Sequence, residues 1–198
     1  MKLIITQIIR FVLFVLIQSL VFNQLEIGIG IQVMIYPLFI MLLPFETSVL
    51  LLLVLAFVMG LSIDSISDTY GLHTSSLLLV AYMRPVIFKV FAPREGYDSI
   101  KEASFFEMGQ RWFISVFGTL LLIHHLWFFL FEMFNMSELG LVLQKTSLSV
   151  PLSFLLCIFL TLCNFVLLSL IVKLTFYKVE TILFFAILIF IFLLLLAL

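Results

Sequence analysis

Residues 48–65 read SVLLLLVLAFVMGLSIDS, and Asp64 is the first charge in that stretch. A helix needs about 20 mostly apolar residues to cross a bilayer, so this run has the length and composition of a membrane span. It is followed by Asp68 and Gly71, which break the run, and then by a second apolar stretch from Leu72 to Phe91. These two runs are expected to be the third and fourth spans.

The same pattern extends in both directions. Upstream, Leu3 to Phe22 is apolar after Lys2. Val21-Phe22-Asn23-Gln24 offers no small-residue cleavage site, so the sequence predicts a retained span and not a secretory leader. Ile27 to Leu43 is a weaker run holding Gly28, Gly30, Gln32 and Pro37, and it is expected to be a bent helix facing other helices. Pro44-Phe45-Glu46-Thr47 reads as a tight turn. Downstream, a fifth span is expected over Arg111 to Phe131 and a sixth over Val150 to Val172, with Pro151 in its first turn. Thr181 to Leu198 is apolar and long enough for a seventh.

Composition agrees with this pattern. The 198 residues are 65% hydrophobic and only 11% charged, and the mean hydropathy is +1.36. Soluble domains carry about 25% charged residues. A water-exposed fold of this composition would present large apolar patches. The fold class expected is therefore all-α: a polytopic membrane helix bundle of six core transmembrane helices and a candidate seventh at the C-terminus. The domains expected are 1–175, the transmembrane core, and 176–198, an additional apolar segment.

The net charge of −1 gives no pull toward nucleic acid, but the ten basic residues are unevenly spread. With the N-terminus in the cytoplasm, Lys2, Arg10, Arg84, Lys89, Arg94, Lys101, Arg111, Lys173 and Lys178 fall at the inner side, and Lys145 alone falls outside. Positive residues stay inside, so this orientation is the expected one. Trp112 and Trp127 are about 22 Å apart along a helix, a separation that suits the two interfacial zones.

Polar residues within spans mark packing or function. Gly60, Asp64 and Asp68 are spaced by four and share a helix face. With Gly71 they form a candidate contact face, or the lining of an outward-facing cavity, against a hydrated acidic turn as the plainer reading. Arg84, beside Pro85, lies about 10 Å from the inner surface, so a snorkelling anchor is expected over a buried partner. His125 and Glu132 share a face about 10 Å apart, too far for one metal, and adjacent His124 and His125 diverge. Hydrogen-bonded helix contacts are expected there, with no metal and no cofactor. Cys157 and Cys163 sit on different faces and read as small packing residues. The loop Ala92 to Gln110 reads either as solvated or as a short amphipathic helix on the inner membrane surface. Catalytic signatures such as GxSxG, HExxH or a phosphate-binding lysine loop are absent from the sequence, and the chain is expected not to be an enzyme.

Several stretches in order resemble a known family. Tyr36-Pro37-Leu38, Leu43-Pro44, Gly60-x3-Asp64-x6-Gly71 and Tyr82-x-Arg84-Pro85 are similar to the rod shape-determining MreD family of the bacterial inner membrane. Pro93-Arg94-Glu95-Gly96-Tyr97 and His124-His125 with Glu132 resemble one branch of it. The resemblance covers roughly residues 1–175. It implies a non-enzymatic scaffold of cell-wall elongation in the lipid bilayer. The implied partner is MreC, a single-span protein with a periplasmic domain, and through it RodA, a penicillin-binding protein and MreB. It also implies a core similar to the substrate-binding subunits of energy-coupling-factor (ECF) transporters, with an outward-opening pocket. The run Thr181 to Leu198 departs from the family pattern. A transporter subunit is the competing reading, with Gln32, Asp64, Asp68, His73 and Glu132 as pocket candidates.

Overall fold

The computed structural model describes residues 2–25, 30–94, 96–97 and 103–176, the last helix by its backbone alone beyond residue 162. Among the described residues the regular structure is helical, with no strand. The helices are α1 (Lys2–Leu20), α2 (Pro37–Leu42), α3 (Val49–Ser67), α4 (Leu72–Val90), α5 (Phe105–Met108), α6 (Gln110–Met133) and α7 (Leu139–Phe176). Among the described residues four stretches are long and apolar enough to cross a membrane: Ile5–Gln24, Val49–Ser67, Gln110–Met133 and Leu139–Leu162. The exposed side chains of α1 and α3 are largely Ile, Leu, Val and Phe, as expected of surfaces solvated by lipid.

The chain divides into two compact units, Met1–Cys157 and Ile158–Leu198. In the first, α3 packs along α4, α4 along α6, and α1 against α3 and α2. Phe117 of α6 stacks on Phe154 of α7, with ring centroids 5.8 Å apart. In the second, the described residues continue α7, and Thr161 donates to the Ile158 carbonyl at 2.7 Å. Thr181 to Leu198 and the side chain of Cys163 lie outside the described residues. Cys157 is buried and carries a free thiol.

Local chemistry sets the ends of α3 and α4. Thr47 closes the Pro44 turn through its backbone N–H at 3.1 Å and its hydroxyl at 2.7 Å. Ser48 then caps α3 by accepting from the Leu51 N–H. At the other end Asp68 (φ 53) and Gly71 (φ 90) are left-handed and reverse the chain into α4.

α4 forms over the expected residues but is not among the four long apolar stretches, and two further elements differ from expectation. The first is the segment before Pro44. Residues 31–35 are non-helical, and α2 is only six residues long. Every residue from Val33 to Leu43 is buried. Pro37 opens the short helix, where its missing N–H costs nothing, instead of bending a long one. Glu26 to Ile29 lie outside the described residues. The second is the sixth expected span. Its helix begins at Leu139, not Val150, so Pro151 lies inside it.

Candidate functional site

Buried non-helical backbone survives only where other groups satisfy its N–H and C=O. Here side chains from two helices supply them. Gln18 of α1 accepts from the Ile35 N–H at 2.9 Å and donates to the Val33 carbonyl at 2.9 Å. On the opposite side, Ser149 and Ser153 of α7 accept from the Gln32 and Met34 N–H groups at 3.1 and 3.0 Å. Ser153 is also 3.1 Å from His125 Nε2, and His125 Nδ1 lies 2.9 Å from the Leu121 carbonyl. A carbonyl only accepts, so His125 carries its proton on Nδ1 and accepts at Nε2 from Ser153.

The far end of this segment is held by Arg84, which is 1% exposed. Its Nη2 donates to the carbonyls of Leu43, Met41 (3.4 Å) and Pro44 (3.2 Å). Its guanidinium lies 4.5 Å from the Phe88 ring centroid. The expected snorkelling anchor is therefore replaced by a buried cap. The last carbonyls of α2 lack intrahelical partners and carry partial negative charge, so a cation is favoured there without a carboxylate.

Asp64 performs the reciprocal task on α4. It accepts from the backbone N–H groups of His73 (3.1 Å) and Thr74 (2.9 Å) and from the hydroxyls of Thr69 (2.6 Å) and Thr74 (2.5 Å). An anion at a helix N-terminus is stabilised by unpaired N–H groups and the helix dipole. One turn earlier, a Cβ on Gly60 would lie 2.4 Å from Thr74 Cα. Gly60 and Asp64 thus both meet the start of α4. Asp68 and Gly71 do not join them. Asp68 has left the helix and is exposed, and a Cβ on Gly71 would meet nothing within 4 Å. Four-residue spacing keeps residues on one face only while the helix continues.

Beside the Asp64 cap runs a chain of hydrogen-bonded polar groups. Gln18 donates to Asn23 Oδ1 at 2.7 Å. Asn23 Nδ2 lies 2.7 Å from Ser67 Oγ and 3.3 Å from His73 Nε2. His73 Nδ1 is 2.9 Å from the Tyr36 hydroxyl, which is 2.6 Å from His124 Nε2. Ser76 Oγ is 3.1 Å from the same nitrogen. Tyr36, Ser76 and His124 are fully buried, and His73 is 1% exposed.

A cavity of about 380 Å³ opens beside this chain, lined by Phe22, Asn23, Gln32, Ser67, Thr69 and His73 among others. Of the pocket candidates read from sequence, Gln32 and His73 line it. Asp64 lies behind Thr69. Glu132 accepts from Gln32 at 3.1 Å and from Lys145 at 2.9 Å. Glu132 and His125 therefore serve different partners despite sharing a face. Among the described residues no group of three metal-binding side chains occurs.

At the other end of the unit, the loop expected to be solvated or amphipathic is partly docked. Tyr97 stacks on Phe45, with centroids 4.4 Å apart, and donates to the Phe88 carbonyl at 2.6 Å. Trp112 donates to Phe91 O and to the Tyr97 hydroxyl. Burial pushes the Tyr97 phenol above its ordinary value, offset in part by the bond from Trp112. Asp98 to Glu102 lie outside the described residues.

Sequence reasoning does not single out Gln18, Asn23, Ser149 or Ser153. Gln18 carries a signal, being a polar residue late in an apolar span. The serines carry none, because serine is ordinary in such helices. The arrangement defines a helical protein with the apolar spans of a multi-pass membrane protein, its polar side chains spent on joining its own elements. Neither a protein-family model, nor a curated protein, nor a solved structure matches this chain.

Proposed function

We propose that this chain is a non-enzymatic scaffold of the bacterial inner membrane, an MreD-like component of the cell-wall elongation complex. It acts beside MreC, and through MreC with RodA, a penicillin-binding protein and MreB. The observation that carries this reading is the use of Asp64 and Arg84, the buried acid and the buried base among the described residues. Asp64 caps α4 and Arg84 caps α2. A group that acts on a substrate must be free to reach it, and these are committed to holding helices together. The ordered sequence motifs of the resemblance supply the identity of the complex. Six crossings make up the proposed core: α1, the broken segment with α2, α3, α4, α6 and α7.

A second reading, the substrate-binding subunit of an ECF-type transporter, is favoured by the cavity beside His73. Recovery of a single-span partner or of an ATPase module from native membranes separates the two.

The scaffold reading places the N-terminus and the loop between α4 and α6 in the cytoplasm, where nine basic residues then lie at the inner side. An impermeant thiol reagent applied to intact spheroplasts should label Ser137→Cys and spare Ser99→Cys until the membrane is opened, in a background lacking the two native cysteines. Labelling of Ser99→Cys from outside contradicts this orientation.

A further inference from the structure

The broken segment is held at its midpoint by Tyr36, and the hydrogen-bond partners give the protons in that contact an order. Asn23 Nδ2 can only donate, so His73 accepts at Nε2 and carries its proton on Nδ1. That proton goes to the Tyr36 oxygen. Tyr36 then gives its own proton to His124 Nε2. With the 2.6 Å contact taking the Tyr36 proton in preference to Ser76 at 3.5 Å, His124 carries its own proton on Nδ1, which has no hydrogen-bond partner among the described residues. The chain runs in one direction and is full.

We propose that His73, Tyr36 and His124 form a proton-sensitive latch that keeps the segment Gly30 to Leu43 inside the bundle and releases it in acid. A second proton on His73 Nε2 would face the Asn23 amide N–H. A second proton on His124 Nε2 would face the Tyr36 O–H, whose only other acceptor is Ser76 Oγ at 3.5 Å. Either proton sets donor against donor and leaves a buried cation. His73 lines the cavity, so the latch has a route to solvent.

The charged and titratable groups around the latch offer the added proton no hydrogen bond, although the charge of Asp64 offsets part of the cost of a cation at His73. From α3, Asp64 faces His73, but its oxygens already hold Thr69, Thr74 and the His73 N–H. From the broken segment there is only Tyr36 itself. From α6, His125 adjoins His124, with ring centroids 5.3 Å apart. From α1 the neighbour is the neutral Asn23. His125 is a weaker trigger. A proton on its Nε2 can use the second lone pair of Ser153 Oγ, and the bond from the Met34 N–H survives.

The sign follows from proton counts. The open segment exposes imidazoles that titrate near their ordinary value of about 6.5, and the closed latch has no place for those protons. The closed form therefore binds fewer protons, is fully favoured above that pH, and loses ground as the pH falls below it. For one proton the shift between pH 7.5 and 5.0 reaches roughly thirtyfold.

The test is hydrogen–deuterium exchange of the full chain in lipid nanodiscs at pH 7.5 and pH 5.0, each rate corrected for the intrinsic pH dependence of amide exchange. Peptides covering residues 31–36 should lose protection by tenfold or more at pH 5.0, while α6 peptides keep theirs. Tyr36→Phe should give low protection in this segment at both pH values. His73→Gln with His124→Gln should abolish the pH difference, and His125→Gln should leave it. Equal corrected protection at both pH values in the unmodified chain overturns the proposal. So does a pH difference that persists in the double histidine variant.

Discussion

Arg84→Leu is expected to destabilise the protein by about 3–5 kcal/mol, the range for removing one partner of a buried charged contact. The reason lies in what remains. The carbonyls of Met41 and Leu43 stay buried at the end of α2 with their donor gone, and that of Pro44 stays half-buried. Each buried group left unsatisfied costs about 1–3 kcal/mol. A leucine cannot offset this by packing, because the acceptors have not been removed with the donor. Arg84→Lys keeps the charge and one point of donation but loses the planar fork, so its stability should fall between those of the parent and the leucine variant. Melting of the purified protein in detergent, followed by loss of the monodisperse peak, measures the order. A leucine variant as stable as the parent would mean that Arg84 is a surface anchor after all.

Substitution of Gly60 should have the next largest effect, and its direction is diagnostic. By helix propensity alone, Gly60→Ala should stabilise α3 by about 1 kcal/mol. The structure predicts the opposite. A Cβ at position 60 would sit 2.4 Å from Thr74 Cα and 2.8 Å from Thr74 N. Both are backbone atoms, so no side-chain rotation relieves the clash and α3 must move off α4. Overpacking costs about 1–3 kcal/mol, and the separation also stretches the bonds from Asp64 to the first turn of α4. Gly60→Leu should be worse than Gly60→Ala. A lower melting temperature for Gly60→Ala supports the close approach, and a higher one contradicts it.

Much of the fold is legible in the sequence because lipid demands long apolar runs, and such runs are visible in any window of 20 residues. α1, α3, α4 and α6 begin and end within a few residues of where the runs do. The turn at Pro44 and the reversal at Gly71 are legible from their residue types. The broken segment is not. An apolar run without clear periodicity signals burial, and burial fits helix or extended chain equally. What decides between them is the set of side chains that clip its backbone. Ser149 and Ser153 stand 117 and 119 positions away from the groups they bind.

The polar site is legible in pieces for the same reason. Gly60 and Asp64 declare themselves through local spacing. Arg84 is visible as a charge at depth, but its partners are carbonyls, which every residue has. Tyr36, His73 and His124 come from three separate elements, and no spacing rule connects them. Asp68 and Gly71 satisfy the spacing yet lie apart from the contact, because the helix stops at Ser67.

The central claim is that this chain is an assembly scaffold whose buried polar groups hold its own helices. Affinity isolation of the tagged full chain from native membranes, solubilised in mild detergent, tests it most directly. The account predicts stoichiometric recovery of a protein with one membrane span and a periplasmic domain, and reduced recovery with Gly60→Leu at matched protein level. Recovery of a cytoplasmic ATPase module in place of that partner would contradict it and assign the cavity beside His73 to transport.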